Sequence, residues 1–164
     1  MYKQSLCVAV LMLVGCAPMT IVNIPPQQGD TAMHSPNSRG VRTIMRHALQ
    51  AVLADRPIEK AFQVLLPANT DATVYADMLP QLGKNAMWSS DGKTKGLPIV
   101  AVTQVRIRGL NAQVDVVRPQ YPEQKQPSEQ TVTVTLKFSP FDGWYVIDLK
   151  EWRGDVNKTA LPSL

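Results

Sequence analysis

The spacing of apolar positions divides this chain into a helical half and a strand half. Val41, Ile44, Met45, Ala48, Leu49, Val52 and Leu53 recur at three and four residues. That stripe predicts a helix over about 38–54, with Ser35 as its cap and Pro36 at its first position. Pro57 is expected to open a second helix burying Ile58, Ala61, Phe62, Leu65 and Leu66, with Pro67 closing it. A third helix, capped at Asn69 or Thr70, carries Val74, Tyr75, Met78 and Leu79 and stops at Pro80 and Gly83.

Beyond Leu97 the period becomes two. In the run from Pro98 to Arg108, Ile99, Ala101, Thr103, Val105 and Ile107 share one face. Val100, Val102, Gln104, Arg106 and Arg108 take the other. Gly109 turns the chain into a second strand, where Leu110, Ala112, Val114 and Val116 alternate with polar residues. Arg118 to Glu129 reads as a Pro- and Gln-rich loop. Val132, Val134, Leu136 and Phe138 then alternate with Thr131, Thr133, Thr135 and Lys137. Asp142-Gly143 is a tight-turn pair, and Trp144 to Trp152 is the last strand. A short strand is expected near Ala86–Ser89, and Gly154 onward reads as a loose tail. Segregated helices and strands predict an α+β domain.

The N-terminal part has a different pattern. Met1–Ser5 carries one positive charge, Lys3, and Leu6–Val14 is uninterrupted apolar sequence. These are the two regions of an export signal, and the apolar run is far shorter than the ~20 residues that cross a bilayer. It ends in Leu13-Val14-Gly15-Cys16, which resembles the lipobox of bacterial lipoproteins. The resemblance implies cleavage before Cys16 and acylation of that residue, palmitate being one such chain. It also implies export and anchoring in the cell envelope. Ala17, where such proteins carry Asp if they are retained at the inner membrane, implies the periplasmic side of the outer membrane in a Gram-negative cell. Residues 16–37, with Pro18, Pro25, Pro26 and Pro36, are expected to form a flexible tether. The expected organisation is therefore signal 1–15, lipidated Cys and tether 16–37, domain 38–153 and tail 154–164.

Two stretches resemble the NTF2-like (cystatin-like cone) superfamily. One is Ala51-Val52-Leu53-Ala54-Asp55 running into Ala61-Phe62-Gln63-Val64-Leu65-Leu66-Pro67. The other is Asp142-Gly143-Trp144-Tyr145-Val146-Ile147-Asp148. Together they imply N-terminal helices packed on a curved antiparallel sheet of about four strands, over residues 40 to 152. Members of this superfamily bind small apolar ligands or proteins, or dimerise through the sheet. Some are enzymes with an acidic or His base inside the cone.

Charge and chemistry narrow the function. There are 17 Lys and Arg against 13 Asp and Glu, and removal of Lys3 with the signal leaves 16 against 13. The basic residues are scattered, which argues against nucleic-acid binding. Arg39, Arg42 and Arg46 fall near the tether, as a solvated helix face or a contact to anionic headgroups. Cys7 lies in the discarded run, so Cys16 would be the single mature cysteine, without a disulfide or thiolate metal site. His34 and His47 lack partners at metal-ligand spacing, so neither metal nor cofactor is expected. Asp77 and Asp148 are the carboxylates that a base-catalysed reaction would need buried in the cone; paired on the outer face with Lys150, Arg106 or Arg108, Asp148 is ordinary surface. No catalytic motif is legible. Trp88, Trp144, Tyr145 and Trp152 are candidates for an interface or pocket, because the last strand is apolar on both faces. The expected function is a non-enzymatic interaction module anchored to the envelope, with an envelope protein, a second copy or a small apolar ligand as partner. The alternatives are a lipid-anchored isomerase or dehydratase, and an envelope structural or stress protein.

Overall fold

A computed structural model describes residues 21–24, 35–88, 96–120 and 129–152. Its elements, in chain order, are β1 (Ile21–Ile24), α1 (Arg39–Asp55), β2 (Phe62–Leu65), α2 (Ala72–Leu82), β3 (Ala86–Met87), β4 (Ile99–Arg108), β5 (Asn111–Pro119), β6 (Glu129–Ser139) and β7 (Gly143–Glu151). The domain is α+β, with two helices on a mixed sheet. Six strands lie in the order β3-β2-β4-β5-β6-β7, and β1 adds to the free part of β4's edge. The expectation of three helices on about four antiparallel strands is corrected accordingly.

The first helix follows its stripe. Val41, Ile44, Met45, Ala48, Leu49 and Val52 are all buried, against Val105, Ala112, Val114, Val116, Val132, Val134 and Leu136 of the sheet. Its cap is Ser38 rather than Ser35: the Ser38 hydroxyl accepts from the Val41 N–H. The expected second helix is instead strand β2, preceded by residues without regular secondary structure. β2 pairs in parallel with both β3 and β4, and Phe62, Gln63 and Val64 are buried in succession. A strand covered on both faces has no alternation to show, so its short apolar run is indistinguishable from a helix stripe. α2 begins after Asp71 and runs through Pro80 to Leu82, with Gly83 after it. A proline in the last turn removes one backbone bond without ending the helix.

β4 to β7 form the antiparallel half. Both β4 and β7 contain a bulge, the first at Val102/Gln104 and the second opposite Thr135/Leu136. A bulge inserts one residue and reverses the facing of everything after it. In β4, Val100 and Val102 therefore share the covered face with Val105 and Ile107. In β7, Leu149 joins Trp144 and Val146 against the core, while Trp152 belongs to the outer face. The expected two-faced apolar pattern of β7 is in part this reversal. The β4–β5 turn places Gly109 at φ +58°, and the β6–β7 turn places Gly143 at φ +74°. Residues with side chains resist both values.

The tether expectation meets the structure at two points: residues 35–37, where Asn37 donates to the Asn69 carbonyl and accepts from the Asp71 N–H, and residues 21–24. Ile21–Ile24 pairs antiparallel with β4, Ile21 opposite Arg108 and Ile24 opposite Val105. That stretch is strand rather than free linker. The expected signal, Cys16, His34 and the expected tail from 154 lie outside the described residues. No helix among the described residues is long and apolar enough to cross a membrane.

Candidate functional site

Period-two alternation assigns the two faces of the sheet. Val114, Val116, Val132, Val134 and Leu136 point under α1, so Asp115, Thr131, Thr133 and Thr135 point away. Asp115 lies opposite Thr133, and Thr133 opposite Lys150. These positions build a polar chain across the outer face. Arg106 donates to both Asp115 carboxylate oxygens at 2.7 and 2.9 Å. The Thr133 hydroxyl donates to Asp115 Oδ1 at 2.6 Å and accepts from Trp152 Nε1 at 2.9 Å. Lys150 Nζ sits 4.2 Å from the centre of the Trp152 ring, within range of a cation–π contact.

This chain holds the indole of Trp152 in place, and the ring remains about half exposed. Tyr145 and Ile147 are also exposed along β7. Asp115 already accepts three hydrogen bonds, and the Thr133 hydroxyl has spent its single proton.

The aromatic candidates do not converge. Trp88 stacks on Tyr75 at 4.3 Å with an interplanar angle of 13°, and it packs against the core. Trp144 lies on the covered face, edge-on to Phe138 at 5.5 Å. Tyr145 and Trp152 share the outer face. Among the carboxylates, Asp148 is exposed there, opposite Thr135. Of the cations expected beside it, Arg106 pairs with Asp115 and Lys150 lies over the Trp152 ring. Asp77 is exposed on α2 and pairs with Arg42 at 3.3 Å. Neither carboxylate occupies the covered face. Arg46 bonds Gln81 Oε1 at 2.9 Å, so two of the three arginines expected near the tether bind α2.

Sequence reasoning missed Arg118. It continues the inward series of Ala112, Val114 and Val116 by two residues, and that spacing is the signal that could have found it. Its side chain is 2% exposed. It donates to the Val52 carbonyl at 3.2 Å and to Asp55 Oδ2 at 2.8 Å, and it pairs with Glu151. Gln130 and Arg56 also bond Glu151. Together these groups tie the end of α1 to β5, β6 and β7. A cleft beside them, lined by residues including Val52, Ile58 and Pro119, has a cavity volume of about 10 Å³. That is room for about one water.

Two groups have displaced pKa values. Burial pushes the Tyr75 phenol up, against the opposing effect of the Leu66 N–H that donates to its oxygen. Burial, helped by the Arg46 charge, holds His47 below its ordinary value. Among the described residues no group of three His, Cys, Asp or Glu side chains is placed to hold a metal ion.

No family model, curated protein or solved structure matches this chain.

Proposed function

We propose that this protein is an exported lipoprotein, anchored through acylated Cys16 to the cell envelope, and that its domain is a non-enzymatic module binding an envelope protein. The address rests on Leu13-Val14-Gly15-Cys16 after a short charged start and an apolar run. Ala17 supports the periplasmic side of the outer membrane. We retain the cone superfamily as the fold relationship, supported by α1 lying across the antiparallel half; the parallel β2–β3 edge is a departure from it.

The observation that carries the binding reading is the outer face of β4–β7. It presents Tyr145, Ile147 and a hydrogen-bonded, half-exposed Trp152 with Lys150 over its ring. Rigidly held aromatics lose little entropy on binding and are frequent anchors of protein interfaces. A small apolar ligand is a weaker reading. Six side chains of α1 are buried against the sheet, and the cleft at its end, about 10 Å³, is far below the ~300 Å³ of a ligand pocket.

The test places a photo-crosslinking residue at Tyr145 of the full chain in the bacterium that makes it. A discrete adduct with one envelope protein is expected, and none from the same residue at Glu59. Mass spectrometry of the Cys16 peptide is expected to show the acyl chains. Equal labelling from the two positions overturns the binding reading. An unmodified Cys16 overturns the anchoring one.

A further inference from the structure

The strand β1 fixes which end of the domain lies nearest Cys16. Because β1 is antiparallel to β4 with Ile21 opposite Arg108, the chain enters the sheet at the end where β4 turns into β5. Four residues separate Ile21 from Cys16, so five Cα-to-Cα steps reach at most about 18 Å even when fully extended. The same end carries the β6–β7 turn, for the Phe138 N–H donates to the Leu110 carbonyl at 2.8 Å. The two turns sit side by side there and expose the side chains of Leu110 at 55% and Phe141 at 95%.

Behind the turns the sheet carries a row of adjacent positions. Arg108 lies opposite Asn111, Asn111 opposite Lys137, and Lys137 opposite Tyr145. On the covered face at this end are Phe138 and Trp144. Asp142 is the one acidic residue of the two turns, and the Ser139 hydroxyl donates to it at 3.2 Å. From the end inward the order is apolar tips, then the Phe138–Trp144 pair, then the row with two cations and Tyr145. That order matches a bilayer boundary, where apolar groups enter the acyl region and aromatic and basic groups lie at headgroup depth.

We propose that the paired β4–β5 and β6–β7 turns are a membrane-contact site, inserting Phe141 and Leu110 into the leaflet that holds the acyl chains of Cys16. This rests on the lipoprotein reading. The occupant follows from the length of chain between the anchor and the sheet. A domain tethered within 18 Å of a bilayer by this end meets that bilayer with this end first. The contact would orient the domain upright, with the outer face of β4–β7 lateral and free for a protein partner. The opposite end, with Arg118, Glu151 and Glu129, would point away from the membrane.

The test uses the full chain, acylated in a bacterial host and reconstituted into phosphatidylethanolamine vesicles containing phosphatidylglycerol. With Cys7 removed and Cys16 acylated, a cysteine introduced by Leu110→Cys takes a single environment-sensitive fluorophore. Glu129→Cys gives the matching probe at the far end. The expected result is a blue shift and several-fold stronger quenching by nitroxide-bearing lipid at 110 than at 129. Phe141→Ser, at a nearly fully exposed position that folding does not need, is expected to remove most of that quenching. Equal quenching at 110 and 129, or quenching at 110 that survives Phe141→Ser unchanged, overturns the proposal. The mass of the Cys16 peptide separates the two layers of the argument. An acylated protein with a water-exposed probe at 110 refutes the contact site alone, and an unacylated Cys16 refutes the lipoprotein reading beneath it.

Discussion

Replacing Arg118 tests whether a buried cation holds this fold through its charge or through the space it fills. Its side chain is 2% exposed, while its partners Asp55 and Glu151 are 47% and 37% exposed. Breaking a fully buried ion pair costs ~3–5 kcal/mol, mainly because a charge is left stranded. Here the carboxylates left behind can regain water, and the Val52 carbonyl still accepts the Arg56 backbone N–H. Arg118→Met keeps the apolar stem and strands nothing, so it should cost about 1 kcal/mol or less. Arg118→Ala also deletes the stem and opens space between α1 and β5, so it should cost about 3 kcal/mol. With a urea dependence of ~1–3 kcal/mol per molar, the Ala midpoint should fall by about 1–3 M and the Met midpoint by well under half of that. The assay is urea unfolding followed by tryptophan fluorescence. A Met variant as unstable as the Ala variant would refute the reasoning, because it would mean that the half-exposed carboxylates cannot be rehydrated.

Two further outcomes follow from the displaced groups. Tyr75→Phe removes the acceptor of the buried Leu66 N–H and should cost ~1–3 kcal/mol, read as a lowered urea midpoint; an unchanged midpoint would show that the N–H finds another acceptor. For His47 the folded pKa is depressed, so below the ordinary value of 6.5 the unfolded chain binds the proton more readily. Its stability contribution is therefore intact above that pH and is lost as pH falls through the folded pKa. Because His47 is partly exposed the effect is small, and His47→Gln should flatten the stability profile below the ordinary value of 6.5 without changing the plateau above it. A steeper acid slope in that variant would contradict the assignment.

The candidate site was legible in part. Tyr145 and Trp152 were visible as large aromatics on a strand with two apolar faces, and both are exposed on the outer face. Trp88 and Trp144 were visible on the same grounds but pack against the core. The network that fixes Trp152 was not legible. Its members Arg106, Asp115, Thr133 and Trp152 come from four segments, and only the register of β4 to β7 brings them together. The tip formed by Leu110 and Phe141 was hidden for the same reason, since the two residues meet through the pairing of separate hairpins.

By itself the sequence determined the elements whose hydrophobic period is long or clean. The α1 stripe, the alternation of β5 and β6, and the two turns all survive folding, because each is a local consequence of burying one face. Tertiary structure alone decided the rest. The run Phe62-Gln63-Val64-Leu65 became a strand because neighbours on both sides satisfy its backbone in a parallel ladder. The bulges of β4 and β7 decided which side chains face water. They reverse the alternation at Val102/Gln104 and beside Ile147, so Leu149 goes inward and Trp152 outward. A bulge gains nothing locally, for it leaves a residue unpaired, and it is stabilised only by the burial it permits on the strands around it.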